Sequence, residues 1–400
     1  MNKSLITLLA TLAMSNSAVA ANSITEAIKG GEASADFRLR YEAVDQDNAV
    51  DDADALTLRS RFGYTTAAYN GFSAKLEFED VRIVGGVDDY TVGPTGFNPG
   101  EYSVIADPEN TEVDQAYIQY KDDTFSAKLG RQVITHDNHR FVGHVGWRQD
   151  RQTFDGLTLQ GSPIDALHLK YNYISKRNRI FAEDADIKSK DHLFNASYAS
   201  PIGKLTGYAY LLEDEEASDI SIDTYGVSLK GAKKSDKLKF LYHLEYATQE
   251  FDNTASDFDA NYYFIEGGIK SGNTTLKLGY EVLGSDNSAY GFSTPLATLH
   301  KFNGWSDQFL STPAEGLVDT YVSVSGKAFK GKWAAIYHDF EADDSSATVD
   351  DLGDEVNLLF ARKFNKHYSA GIKYASYSAG DSGANKVDTD KLWLWVGATF

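Results

Sequence analysis

Four arginines occur in two pairs with a spacing of two residues, Arg38 with Arg40 and Arg59 with Arg61. In an extended strand, residues two apart point to the same face, so each pair presents two guanidinium groups side by side. A guanidinium group is always charged and offers a planar fork of donors that engages a carboxylate through two hydrogen bonds. These residues could therefore attract anions. The alternative is that they pair with acidic side chains and only keep a polar surface solvated.

The sequence around these arginines predicts the strands that would position them. Phe37, Leu39 and Tyr41 alternate with the charged residues of the first run. Similar runs of about 9–11 residues, the length of a tilted membrane strand, recur roughly eighteen times up to Phe400. Short turns alternate with long acidic connections along the chain. We expect an all-β fold, a transmembrane antiparallel β-barrel of about 18 strands, with 16 as the alternative, in the bacterial outer membrane.

The two ends of the sequence agree with that location. Residues 1–20 have a basic start, an apolar stretch and a small-residue cleavage site, and are expected to be a signal peptide. Residues 21–400 then form a single barrel domain. The last strand, which ends at Phe400, resembles the C-terminal signal recognised by the barrel assembly machinery, an expected partner.

The charge of the chain limits its partners. It has 58 acidic and 38 basic residues, a net charge of -20, which argues against binding nucleic acid. The acidic residues concentrate in the long connections, expected to face outside, and lysines concentrate in the short turns, expected to face the periplasm. Outer-membrane lipid, lipopolysaccharide and a hydrophilic solute are the expected partners, and we expect a monomer.

The interior of such a barrel determines its function, because about 18 strands leave room for an aqueous channel. The basic residues expected to line this pore are Arg38, Arg40, Arg59, Arg61, Lys75, Lys128, Arg131, Lys170 and Lys239. Acidic residues share these faces, among them Asp36, Glu42, Glu77 and Glu79. Anion selectivity and simple solvation of the wall therefore remain open alternatives.

Two motif blocks go beyond the barrel pattern. The first lies between Asp114 and Gly156 and contains LGRQ, RFVG, WRQ and RQTFDG. The second is KFNGWSD at Lys301, followed by GLVD at Gly316. Together they resemble the alginate export family of outer-membrane porins. The resemblance implies a monomeric barrel of about eighteen strands whose arginine-lined lumen passes anionic polysaccharide, a role that it extends to Arg131, Arg148 and Arg151.

The first block is also expected to form a constriction loop. Arg140, Arg148 and Arg151 could fold inward and offer charge to a carboxylate, and Trp147 could serve as an aromatic platform for a sugar. The alternative is that these arginines fix the loop to Asp137, Asp150 and Asp155.

Enzymatic and metal chemistry find little support in the sequence. His136, His139 and His144 lie near Asp137, but their spacing is loose, and no nucleophile elbow or phosphate-binding loop occurs. We therefore predict no catalytic residue, cofactor or metal site. The sequence favours a channel for hydrophilic, anionic solutes such as oligosaccharides or uronate polymers. The alternative is a surface receptor or adhesin that presents acidic loops on a barrel scaffold.

Overall fold

The computed structural model describes residues 21–93, 97–216 and 220–400. The predicted signal peptide, residues 1–20, lies outside the described residues. A short helix, Ile24–Lys29, precedes the first strand, and Ser23 caps it by accepting a hydrogen bond from the backbone N–H of Glu26. Among the described residues, no helix is long and apolar enough to span a membrane.

Eighteen strands form one antiparallel sheet, as the alternation of the sequence predicts. Numbered β1 to β18 in chain order, they are Glu32–Gln46, Ala53–Thr65, Phe72–Asp89, Asn110–Lys121, Phe125–Gln132, Thr153–Ile164, Leu167–Asn178, Ile187–Ser200, Gly203–Asp214, Ile220–Ser235, Leu238–Asp252, Asp257–Ser271, Thr274–Leu283, Leu317–Ala328, Gly331–Glu341, Asp351–Lys363, Tyr368–Ser378 and Thr389–Thr399.

The sheet closes on itself because β1 pairs with β18 over eleven residues, from Asp36 with Thr399 to Gln46 with Thr389. Closure removes both sheet edges and satisfies the backbone without water. Most short turns lie at one end of the barrel, here the turn side, and the longest connections lie at the other, the loop side. This alternation matches the predicted turns. The third strand continues to Asp89, however, beyond the end expected near Arg82, because a bulge after Ala55 lets β2 and β3 stay paired.

The outer face is apolar, as expected for contact with lipid. Phe62, Leu244 and Tyr246 are exposed large hydrophobic residues, whereas Arg59, Arg61 and His243 on the alternate face are buried. Side chains of a strand point alternately outward and inward, so this difference separates the lipid face from the barrel interior.

The interior is partly filled by two long loops, residues 133–152 and 284–316. Their residues Ile134, Val142, Phe292 and Leu296 join a buried hydrophobic cluster with wall residues such as Phe154. Loops that merely covered the barrel mouth would not bury such side chains. The loops therefore enter the barrel, and their position determines which part of the interior stays open.

Candidate solute pathway in the barrel interior

The two inward loops are joined to each other by backbone contacts. Val142 and Leu296 form a bridge, and the N–H of Gly143 donates to the carbonyl of Leu296 at 2.7 Å. The N–H of Thr298 donates to the carbonyl of His139 at 3.0 Å. Both predicted motif blocks therefore meet inside the barrel, although about 150 residues separate them in sequence.

Arg140 lies at the centre of this contact. Its Nε donates to Glu281 Oε1 at 2.7 Å and its Nη2 to Asn303 Oδ1 at 3.1 Å. Asn303 in turn donates to Glu281 Oε2 at 2.7 Å. Burial alone would lower the pKa of Arg140, but the adjacent Glu281 raises it, so the guanidinium stays charged. The alternative partner from the sequence, Asp137, is not the residue that holds Arg140.

The Arg140–Asn303–Glu281 group separates two cavities. Arg140 and Asn303 line a cavity of about 460 Å³ on the loop side. Glu281 and Asn303 line a cavity of about 250 Å³ on the turn side. The group therefore lies between the two cavities, and a constriction formed by Arg140 and its loop stays a prediction.

Arg148 fixes the loop 133–152 to the opposite part of the wall. Its Nη1 donates to both carboxylate oxygens of Glu42 at 3.0 Å, and its Nη2 donates to Asp307 Oδ2 at 2.9 Å. Burial alone would lower the pKa of Arg148, but Glu42 and Asp307 raise it. This arginine links a strand and both inward loops, so its visible role is to anchor them.

The four arginines of the first two strands are engaged in the same anchoring. Arg38 donates to Gln149 Oε1 at 2.9 Å and to the carbonyl of Gly146 at 3.2 Å. The other three form ion pairs. The pairs are Arg40 with Asp107 and Glu42, Arg59 with Asp36, and Arg61 with Glu79. Arg40 is only 1% exposed. This part of the wall faces the interior as predicted, and the loop covers it.

Arg151 and Arg131 have different surroundings. Arg151 donates to Glu77 Oε1 at 2.6 Å and also bonds Asp114, a further attachment of the loop to the wall. Arg131 pairs with Asp155 through two hydrogen bonds, of 2.8 and 3.1 Å. It lies on the strand face of Leu129, which is 64% exposed, opposite to the buried Gln132.

The prediction that Arg131 lines the pore is therefore wrong, because strand alternation turns its side chain away from the lumen. Its guanidinium group pairs instead with Asp155.

Trp147 lies in an aromatic cluster between the loops and the last strands. Its ring stacks on His300 with centroids 5.2 Å apart, and the Nζ of Lys373 lies 4.3 Å from its centroid. Lys373 also lies 3.9 Å from the ring centroid of Trp305. A sugar platform at Trp147 remains a prediction; the contacts present make it part of the loop packing.

The loop-side cavity carries a cation that the sequence did not single out. Arg179 donates to Gln152 Oε1 at 2.9 Å and to the carbonyl of Pro295 at 3.1 Å. Within the described parts of the chain it forms no salt bridge. Burial, together with Arg177, lowers its pKa to about 10, so it stays charged at neutral pH. Phe181, Ile222 and other apolar residues complete the lining.

Lysines line the turn side. Lys170 lines a second cavity there, of about 430 Å³, and donates to the carbonyl of Thr135 at 2.9 Å. Lys230 and Lys301 line the cavity next to Glu281. Burial and the neighbouring Lys230 lower the pKa of Lys301, which indicates crowding of positive charge.

The remaining predicted lysines face the interior at other points. Lys75 pairs with Glu77 at 2.9 Å, and the Nζ of Lys128 lies 4.3 Å from the ring centroid of Tyr117. Lys239 lies on the same strand face as the buried His243.

His136, one of the histidines considered as metal ligands, has other partners. His136 bonds Asn172 at 2.7 Å and Tyr210 at 3.3 Å, and burial lowers its pKa to about 3. Asp137 accepts hydrogen bonds from Lys204 and Asn195. His136 is therefore a neutral packing residue of the loop.

A closed antiparallel barrel of eighteen strands with an apolar outer band and a polar, loop-constricted interior has the architecture of outer-membrane porins. Solved structures with this fold include OccAB4 and OccAB2 of Acinetobacter baumannii and OpdK of Pseudomonas aeruginosa. OccAB4 has 15% sequence identity and a TM-score of 0.74, covering 92% of this chain and 98% of its own. OccAB2 has 14% identity and a TM-score of 0.73, covering 94% and 99%. OpdK, solved with vanillate, has 14% identity and a TM-score of 0.71, covering 92% and 98%.

The family described as "Alginate export" matches residues 32–288, more than half of the chain. The protein therefore belongs to the alginate export family, as its two motif blocks predicted, and is an outer-membrane β-barrel channel. No curated protein sequence matches the chain.

Proposed function

We propose that this barrel conducts small anionic solutes, such as short uronate oligosaccharides or other carboxylates, across the outer membrane. One observation carries the proposal: cations that form no salt bridge with any described residue line the cavities on both sides of the constriction. These cations include Arg179 on the loop side and Lys121, Lys170, Lys230 and Lys301 on the turn side.

Several acidic residues of the same cavities are neutralised by a cation. Asp137 pairs with Lys204, Glu266 with Lys277 at 2.9 Å, and Glu281 with Arg140. Charges fixed in a narrow, water-filled space raise the local concentration of ions of the opposite sign. The cations without carboxylate partners therefore favour an anion at each step toward and beyond the constriction.

The cavity sizes favour a small solute over a polymer. Cavities of about 460 and 430 Å³ lie in the range that holds small molecules, roughly 300–1,000 Å³. A polymer could pass only if the residues of the Arg140–Asn303–Glu281 group moved apart and stayed apart while the whole polymer crossed. The apolar lining beside Arg179 would also suit an amphipathic carboxylate. Vanillate, present with OpdK, is an aromatic carboxylate of this kind.

A surface receptor is the second candidate, and the apolar packing of both loops inside the barrel is the observation that favours it. A barrel closed by these loops would bind through its outer loops and carry no current. Single-channel recording in a planar bilayer separates the two functions, because the channel predicts stepwise currents in KCl.

Block of that current tests the solute class. We expect glucuronate to reduce the KCl current several-fold more strongly than glucose at equal concentration, because only glucuronate carries a carboxylate. Arg179→Gln should weaken the block. Arg82→Gln is the matched control, since Arg82 lies on the outer face and its side chain is 47% exposed. Equal block by both sugars would contradict the proposal, and the absence of current steps would favour the receptor.

A further inference from the structure

We propose that Glu79, Glu112 and Asp150 form a binding site for one calcium ion, which ties the loop 133–152 to the barrel wall. Each residue offers one carboxylate oxygen, and these three oxygens lie within 4.8 Å of one another. Glu79 lies on β3, Glu112 on β4 and Asp150 in the inward loop. The site therefore joins three separate segments of the chain.

Two carboxylate oxygens of this cluster are buried without a hydrogen-bond donor. They are Glu79 Oε1 and Asp150 Oδ1, and the two residues are 1% and 0% exposed. A buried carboxylate oxygen without a partner is costly, because it has lost its hydration. A bound cation would supply the missing interaction for both oxygens at once.

Three other oxygens of the cluster already have donors. Asn110 Nδ2 donates to Glu112 Oε2 at 3.2 Å and to Asp150 Oδ2 at 3.3 Å, and Arg61 bonds Glu79 Oε2. Hydrogen bonds of this type to ligating carboxylates orient them toward a metal ion. The arrangement leaves the two unpartnered oxygens free to coordinate the ion.

The charge balance points to a divalent ion. Among the described residues, Arg61 is the cation that bonds the cluster, and it also lies 3.7 Å from Asp114. Three carboxylates thus share one guanidinium group. Calcium prefers carboxylate oxygens at about 2.3–2.6 Å, so it spans oxygens up to roughly 5 Å apart. Magnesium needs shorter, near-octahedral contacts, so the oxygen spacing suits calcium better.

The ion would act as a tether. Asp150 follows Arg148 and Gln149, which hold the loop against β1 and β2, and precedes Arg151, which holds it against β3 and β4. Calcium at Asp150 would complete this row of attachments. The site goes beyond the transport proposal, because it concerns the rigidity of the loop whatever solute passes.

The test measures calcium bound to the purified, folded barrel. The protein is treated with a chelator, reloaded with Ca²⁺ and passed through a desalting column, and its metal content is measured. We expect one calcium per chain to be retained by the wild type and lost in Asp150→Asn and in Glu112→Gln. Asp52→Asn, which removes an exposed carboxylate from the first acidic loop, should retain it. Heat-modifiable migration in SDS gels confirms that each variant is folded.

A second measurement distinguishes the calcium tether from a proton shared between the carboxylates, which would also reduce the negative charge of the cluster. Ca²⁺ should raise the thermal unfolding midpoint of the wild type and leave that of Asp150→Asn unchanged. The proposal is overturned if the desalted wild type holds no calcium, or if Ca²⁺ binding and the midpoint shift are the same in wild type and Asp150→Asn.

Discussion

The two halves of the barrel interior use the same residue types in opposite ways. On the anchoring wall, formed by β1 to β4, the arginines bond carboxylates or loop carbonyls, and Arg38 and Arg40 hold the loop 133–152. On the cavity wall, formed by β7 to β13, Lys170 and Lys230 line open space, together with Arg179 and Lys301 from the connections. Under the proposed function, the first wall positions the constriction, and the second is exposed to the solute.

Under the proposed function, the number of inward cations alone does not determine the selectivity. A guanidinium group that already pairs with a carboxylate contributes little net field, whereas a lysine without a carboxylate partner contributes its full charge. Variants that remove a charge from one wall, or a contact between a loop and a wall, test this difference.

The largest loss of stability is expected when a contact of the anchoring wall is removed. Arg148→Ala leaves Glu42 and Asp307 buried without their shared cation. Breaking a buried ion pair costs up to about 3–5 kcal/mol, and less here because Glu42 keeps Arg40 and Asp307 keeps Lys391. The unfolding midpoint in denaturant should still fall clearly. Arg82→Ala on the outer face serves as the control and should change it little. A midpoint of Arg148→Ala equal to that of the control would contradict the anchoring role.

A smaller effect on stability is expected at His136, where the loop 133–152 meets the cavity wall. The pKa of His136 is about 3 in the folded barrel, below the value near 6.5 in the unfolded chain. The unfolded state therefore binds more protons between these values, so stability is full above about pH 6.5 and falls as the pH drops toward 3. The slope from this group is at most about 1.4 kcal/mol per pH unit.

His136→Gln removes this titration and keeps a hydrogen-bonding side chain against Asn172. We expect the variant to lose less stability than the wild type between pH 7 and pH 4, measured by denaturant unfolding at each pH. Parallel pH profiles for the two proteins would show that His136 is not buried in its neutral form.

The smallest stability effect is expected for Arg59→Gln. Its partner Asp36 has a side chain that is 36% exposed, and pairs of this kind contribute about 0–1 kcal/mol. Arg59→Gln alone leaves Asp36 as an unpaired anion, so selectivity is tested in the variant that combines it with Asp36→Asn. The net charge of the wall is then unchanged, and the ion selectivity should change little. A large shift of selectivity in this variant would show that paired charges on the anchoring wall influence selectivity as unpaired charges on the cavity wall do.

Most of the fold could be predicted from the sequence. Alternation is a local property, so Phe37 with Arg38 and Leu39 with Arg40 already indicate which face meets lipid, and the alternating connection lengths give eighteen strands. Strand ends are less predictable. The third strand passes Arg82 because of pairing at Asp88 and Asp89, which depends on the partner strand.

The site could be predicted only in part. The inward loop and its arginines were recognisable from the motifs, but their partners lie far away in sequence, as with Arg148 and Glu42, 106 residues apart. The face of Arg131 was misjudged because its motif suggested a role that strand alternation does not allow. Arg179 belongs to no motif, and its importance depends on the absence of a salt bridge among the described residues, which sequence alone does not reveal.

The reversal potential across a KCl gradient tests the central claim most directly, namely that the cations without carboxylate partners set the selectivity. The variant that combines Arg179→Gln, Lys170→Gln, Lys230→Gln and Lys301→Gln removes four of those charges. The control that combines Arg59→Gln with Asp36→Asn removes a paired charge together with its partner. We predict that the wild type and this control share an anion-selective reversal potential and that the quadruple variant moves toward cation preference. A wild-type potential retained in the quadruple variant, with conductance intact, would contradict the account.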